Sequence, residues 1–118
     1  MKNAYRDVTA FVTKDGSEIR ELVHPAVHGN LSVSFAEAIV RPGATTLLHR
    51  HHAAEEIYHI TAGSGRMRLG PAEFPIDSGD TIAIAPGTPH NVVNTGAVPL
   101  KILCACYPAY ADEDTELL

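Results

Sequence analysis

An all-β fold of antiparallel strands is the expectation for this chain, and three observations carry it. Short runs rich in β-branched and aromatic residues recur, among them EIYHITA at 56–62 and LKILCAC at 100–106. Turn residues follow one another closely through the middle of the chain, at Gly63, Gly65, Gly70, Pro71 and Gly79. The segment holding them has no helical periodicity, so it reads as a meander of hairpins.

The 118 residues are expected to form one domain. It divides into an N-terminal arm over about 1–30, a core over about 31–107 and an acidic tail over 108–118. A chain of this size buries roughly two-thirds of its unfolded surface. In the arm, Ala10–Val12 and Ser17–Val23 have strand character, with a Lys14-Asp15-Gly16 turn between them. His24-Pro25 and His28-Gly29 read as exposed loop, in an arm whose composition also suits crossing to a partner subunit. From Leu31 to Val40 the residues alternate: Leu31, Val33, Phe35 and Ile39 share one face, with Glu37 as its polar exception. Ser32, Ser34, Ala36, Ala38 and Val40 share the other. Phe35 and Phe74 are expected to fill the interior, and Glu37 to sit at one end of the fold or reach a pocket.

Pro42-Gly43 ends that strand, and Thr45–His49 begins the next. Another starts near Glu56 and stops at Gly63. Arg66 and Arg68 lie opposite Met67 and Leu69; pointing outward they are solvated charge, and at a pocket mouth they would hold a carboxylate or phosphate. Thr81–Ala85 is a strand, followed by a loop that Pro86 and Pro89 stiffen, then His90. Asn94-Thr95-Gly96 is a turn, and Val98–Cys106 the next strand. The tail is expected to form one helical turn and to pack over an end of the fold or stay solvated. Cys104 and Cys106, the only cysteines, are two apart on a strand, about 6.5–7 Å by strand rise and poorly placed for a disulfide. They read as reduced thiols, either small buried groups or, for one of them, a neighbour of the pocket.

The chemistry concentrates in GATTLLHRHHAAEEIYHITAG, residues 43–63. Strand parity points His49 and His51 the same way and turns Arg50 and His52 aside. Glu56, on the adjoining strand, joins them, so two imidazoles and a carboxylate are able to reach one ion. A lone strand histidine is more often a core or surface residue; the pair, Glu56 and a later His90 together shift that balance. Tyr58 and Ile60 share the Glu56 face, Tyr58 as a candidate for the pocket wall and Ile60 as core. His59 faces the other way, toward an outer sheet or a dimer interface.

These residues fill a recognisable pattern. Gly43, His49, His51, Glu56 and Gly63 follow G-x5-H-x-H-x4-E-x6-G, which resembles the first motif of the cupin superfamily. Gly79, Gly87, His90 and Asn94 match the second, G-x5-P-x-G-x2-H-x3-N, with Ala85 in place of its usual proline and Pro86 next to it. The resemblance implies a single small cupin (double-stranded β-helix, or jelly-roll) barrel of antiparallel strands. It also implies one divalent transition-metal ion held by His49, His51, Glu56 and His90. Three imidazoles and a carboxylate suit Fe, Mn, Ni, Co, Cu or Zn and do not choose among them.

Two functional classes follow from the resemblance. One is a metal-dependent enzyme on a small oxygenated organic molecule, with dioxygenase-type chemistry first and a non-redox isomerase, cyclase or decarboxylase second. The other is a non-catalytic binder or sensor of a small molecule. The enzyme is the favoured class, with a homodimer as its assembly. The net charge of -5 argues against nucleic acid as a partner. No apolar run is long enough to span a bilayer, and the N-terminus has no signal-peptide core, so the expected location is cytoplasmic.

Overall fold

The computed structural model describes residues 1–118, and eleven strands dominate it. The arm supplies β1 (Phe11–Val12) and β2 (Glu18–Val23), a short helix α1 (Pro25–His28) follows, and then β3 (Ser34–Val40). The first motif forms β4 (His49–His51) and β5 (Glu55–Ala62). The meander is β6 (Ser64–Leu69), β7 (Ala72–Asp77) and β8 (Thr81–Ile84). β9 (His90–Val93), β10 (Leu100–Tyr107) and β11 (Thr115–Leu117) complete the chain. One sheet runs β1-β2-β3-β10-β5-β8 and the other β11-β4-β9-β6-β7, with every pairing antiparallel.

Side chains from both sheets enclose one core. Ile60, Ile84, Leu100 and Ile102 of the first sheet meet Met67, Ile76 and Val92 of the second. The meander needs glycine at two of its tightest points. Gly63 sits at φ 83°, where a Cβ would also fall 2.7 Å from the Pro99 carbonyl oxygen. At Gly65 a Cβ would meet the Val93 carbonyl oxygen at 2.2 Å, so the strands approach closely only without a side chain there. Asn94 is fully buried; its amide donates to the carbonyls of Val40 (2.9 Å) and Val98 (2.8 Å) and accepts from the Gly96 N–H (2.9 Å). Its place in the second motif is therefore that of a tie between β3 and the β9–β10 turn.

Four expectations change. On β3 the small face, Ser34, Ala36, Ala38 and Val40, turns inward; Phe35 lies half-buried on the outer face and does not fill the interior, whereas Phe74 does pack on the core. Glu37 is on that outer face too, where it accepts a hydrogen bond from the Tyr5 hydroxyl. In the arm, β2 pairs with β3 of its own chain. His24 is half-buried, not exposed, and caps α1 by accepting from the Ala26 N–H, while its Nε2 pairs with the Tyr110 carbonyl at 2.8 Å. The tail forms its single helical turn at Asp112–Asp114 but continues into β11, which pairs with β4. No helix is long and apolar enough to cross a membrane.

Candidate metal centre

β4 and β9 face each other with His49 opposite His90, and β5 brings Glu56 across from the other sheet. The ligand atoms of His49, His51, Glu56 and His90 all lie within 4.8 Å of one another, and all four residues are buried. The sequence parity of β4 is observed: His52 is exposed, 4.0 Å from Glu116, and Arg50 pairs outward with Glu116 at 2.6 Å. His59 also points outward and shares a hydrogen bond with Thr81.

The hydrogen bonds fix which ring nitrogen faces the cluster. His49 Nδ1 lies 2.8 Å from the Leu47 carbonyl and His90 Nδ1 lies 2.9 Å from the Thr88 carbonyl. A carbonyl only accepts, so each Nδ1 carries the proton and donates. Thr115 Oγ1 donates to the Ala111 carbonyl (3.0 Å), which leaves it as acceptor for His51 Nδ1, also at 3.0 Å. All three Nε2 lone pairs are therefore left free for the cluster. His51 Nε2 is 3.1 Å and His90 Nε2 3.4 Å from Glu56 Oε1, and His90 Nε2 is a fully buried atom with no hydrogen-bond partner. Lone pairs opposed to a carboxylate at these distances repel unless a cation or a proton stands between them. The donor set and its orientation thus fit a metal ion.

Electrostatics agree. Burial and then the neighbouring His90 lower the His49 pKa, favouring the neutral ring that a metal requires. Burial would raise the Glu56 carboxyl, but with a proton on the facing rings in place of a metal, the hydrogen bonds of His51 and His90, the charge of His51 and the Cys106 thiol outweigh it and hold it at about 2. Cys106 Sγ donates to Glu56 Oε2 at 3.1 Å, leaving Oε1 for the cluster. Burial, then the Glu56 charge, pushes this thiol far above its usual range, so it remains a protonated donor.

The cluster opens into a cavity of about 430 Å³. Tyr58 forms part of its wall, as expected, with its ring 5.8 Å from that of His90. Cys104 and Cys106 are buried free thiols, as the plainer reading has it, and both also line the cavity. Arg66 and Arg68 are exposed on the outer face and contribute nothing to it. Three lining residues carried no sequence signal: Asp15 in the β1–β2 turn, Tyr110 ahead of the tail, and Thr115 on β11. The Tyr110 ring stands edge-on to His51 at 5.8 Å, and its hydroxyl donates to Asp112.

A family model described as the cupin domain matches residues 36–106. Over 118 residues the sequence is 52% identical to an uncharacterized protein of Methanocaldococcus jannaschii, spanning all of this chain and 94% of that one. It is 31% identical over 88 residues to Protein SchB of Streptomyces halstedii, across 75% of this chain and 64% of that protein. Among solved structures, a predicted oxalate decarboxylase from Thermotoga maritima aligns with a TM-score of 0.80 at 25% identity, over 92% of this chain and 99% of that one.

Proposed function

The chain belongs to the cupin domain family, and on that footing we propose that it is a metal-dependent enzyme acting on a small oxygenated organic molecule, with one divalent transition-metal ion held by His49, His51, Glu56 and His90. The observation that carries this reading is the unpartnered Nε2 of His90, fully buried and facing, together with His51 Nε2, one oxygen of Glu56. A structural histidine would have both nitrogens satisfied. Bound by these four side chains, such an ion would supply Lewis-acid or redox chemistry.

The chain's own residues do the rest. Leu47, Thr88 and Thr115 hold the three rings in one tautomer, and Cys106 orients Glu56. Tyr58, Ala36, Ala38 and Ile102 form a wall that limits water beside the donors. The cavity volume accommodates a small organic molecule rather than a polymer. Dioxygenation is the first reaction to test. Isomerisation or cyclisation without net redox change is the second.

Anaerobic reconstitution with each candidate metal, followed by substrate-dependent oxygen uptake, tests the reading. Uptake with Fe or another redox metal and none with Zn supports dioxygenation. Turnover without oxygen favours the second reaction, and no turnover across metals and a broad panel favours the binder. The same reading includes a homodimer. Phe35, Ala105, Ile57 and Ala83 form one cross-strand row on the outer face of the larger sheet, with Ile57 42% exposed. An apolar row of this kind suits a second copy. A monomer mass at micromolar concentration would remove it.

A further inference from the structure

Asp15 belongs to neither motif, yet the β1–β2 turn delivers its carboxylate to the metal cavity. One oxygen is anchored: Oδ1 accepts from Thr13 Oγ1 (2.8 Å), Ser17 N (2.9 Å) and Ser17 Oγ (2.6 Å). The other, Oδ2, stands 3.8 Å from His49 Nε2. The turn is tied to the ligand strand itself, because the Leu47 N–H donates to the Asp15 carbonyl at 2.8 Å and the Leu47 carbonyl holds the His49 ring. Asp15 stands outside the set of four donors that lie within 4.8 Å of one another. Its free oxygen is therefore placed to meet whatever occupies the space beside the cation.

The charge around that space is one-sided. Asp15, Glu21, Asp112 and Glu113 line the cavity together with Glu56, and no arginine does. The single lysine, Lys14, spends its ammonium on the carbonyls of Asp112 (2.8 Å) and Thr115 (3.0 Å). Three neutral rings leave a divalent ion balanced by Glu56 and Asp15, and Glu21, Asp112 and Glu113 outweigh the Lys14 ammonium in the rest of the lining, so a bound anion would meet no net positive charge. A ligand that donates hydrogen bonds meets an oriented acceptor.

Resting on the metal-site reading above, we propose that Asp15 is the specificity determinant of this pocket: it accepts a hydrogen bond from a neutral or cationic ligand bearing hydroxyl or amino groups, and with the acidic mouth it excludes carboxylates and phosphates. The pocket is thus mismatched to a dicarboxylate, despite the likeness to a predicted oxalate decarboxylase.

The test uses cobalt(II)-loaded full-length protein, titrated with azide and, separately, with 1,2-ethanediol, and followed by the visible absorption of the metal. Wild type and Asp15→Asn should take up the same amount of cobalt. The variant should bind azide about tenfold more tightly and the diol about tenfold more weakly, as expected for losing one nearby charge and its acceptor. Glu21→Gln, which touches none of the turn's hydrogen bonds, should shift azide in the same direction by about threefold and guards against a misfolded turn. Equal azide affinity in wild type and both variants overturns the proposal. Loss of cobalt from Asp15→Asn alone would make Asp15 a ligand and overturns it as well. If wild type takes up no cobalt, the metal reading has failed, and this inference with it.

Discussion

The two ends of the interior are built differently, although the same strands run through both. At the mouth, Cys106 lies between Ser34 and Glu56 in the cross-strand register. One step inward Cys104 lies between Ala36 and Tyr58, then Ile102 between Ala38 and Ile60, and finally Leu100 beside Val40. The steps pass from small and polar to large and aliphatic. At the base, side chains fill the space between the sheets, and Ile60 and Leu100 are essentially inaccessible. At the mouth, Ser34, Ala36 and Cys106 are too small to reach across, and the space they leave is the cavity. Stability and chemistry thus occupy separate layers of one sheet. The difference teaches that a strand's inward face need not be its most apolar one.

That division predicts opposite responses to substitution. The largest effect is expected from His90→Ala, which should reduce bound metal from about one per chain to below a tenth, as should alanine at His49, His51 or Glu56, whereas His59→Ala should leave it unchanged. Elemental analysis of purified protein checks this. At the base, Ile60→Ala should lower unfolding free energy by about 2–5 kcal/mol in a denaturant titration while metal content persists. A loss of metal with that variant would break the comparison.

Acid gives the next contrast. The Glu56 carboxyl, held at about 2 instead of 4.5, stabilises the metal-free fold fully above its unfolded value. That contribution, on the order of 3 kcal/mol, is lost as pH falls from about 4.5 toward 2. Glu56→Gln should show a correspondingly shallower acid unfolding curve. Thr115→Val removes the acceptor for the His51 ring and should weaken metal binding about 10–100-fold in a competition with a chelator. The smallest effect is expected at Cys106→Ala, a loss of about 1 kcal/mol from the hydrogen bond to Glu56, read as a small fall in thermal stability.

Strand parity and motif spacing made the four donors legible in the sequence, because alternate residues on β4 must share a face and fixed glycines set the turns. Those same signals predicted the outward turn of His52 and His59. Asp15, Tyr110 and Thr115 were hidden, since each arrives from a terminal segment and meets the site only through tertiary closure. β3 misled in a more instructive way. Phe35 and Ile39 look like core residues, but the interior beside a cavity requires the serine and alanines of the alternate positions. The tail's composition left packing over an end and solvation both open; the Asp114 carboxylate accepts from the Ala53 and Ala54 N–H groups, and β11 follows it.

β11 covers the open flank of the strand that carries His49 and His51, and Leu118 N–H reaches back to the Leu48 carbonyl at 3.0 Å. Truncation at residue 111 would strip β4 of that cover, turn it into a raw edge prone to sticking to other molecules, and release the His51 ring from its tether. An affinity handle fused after Leu118 would press on the same flank. Recombinant material tagged at its C-terminus would then under-report both metal occupancy and solubility, so the handle belongs at the other terminus.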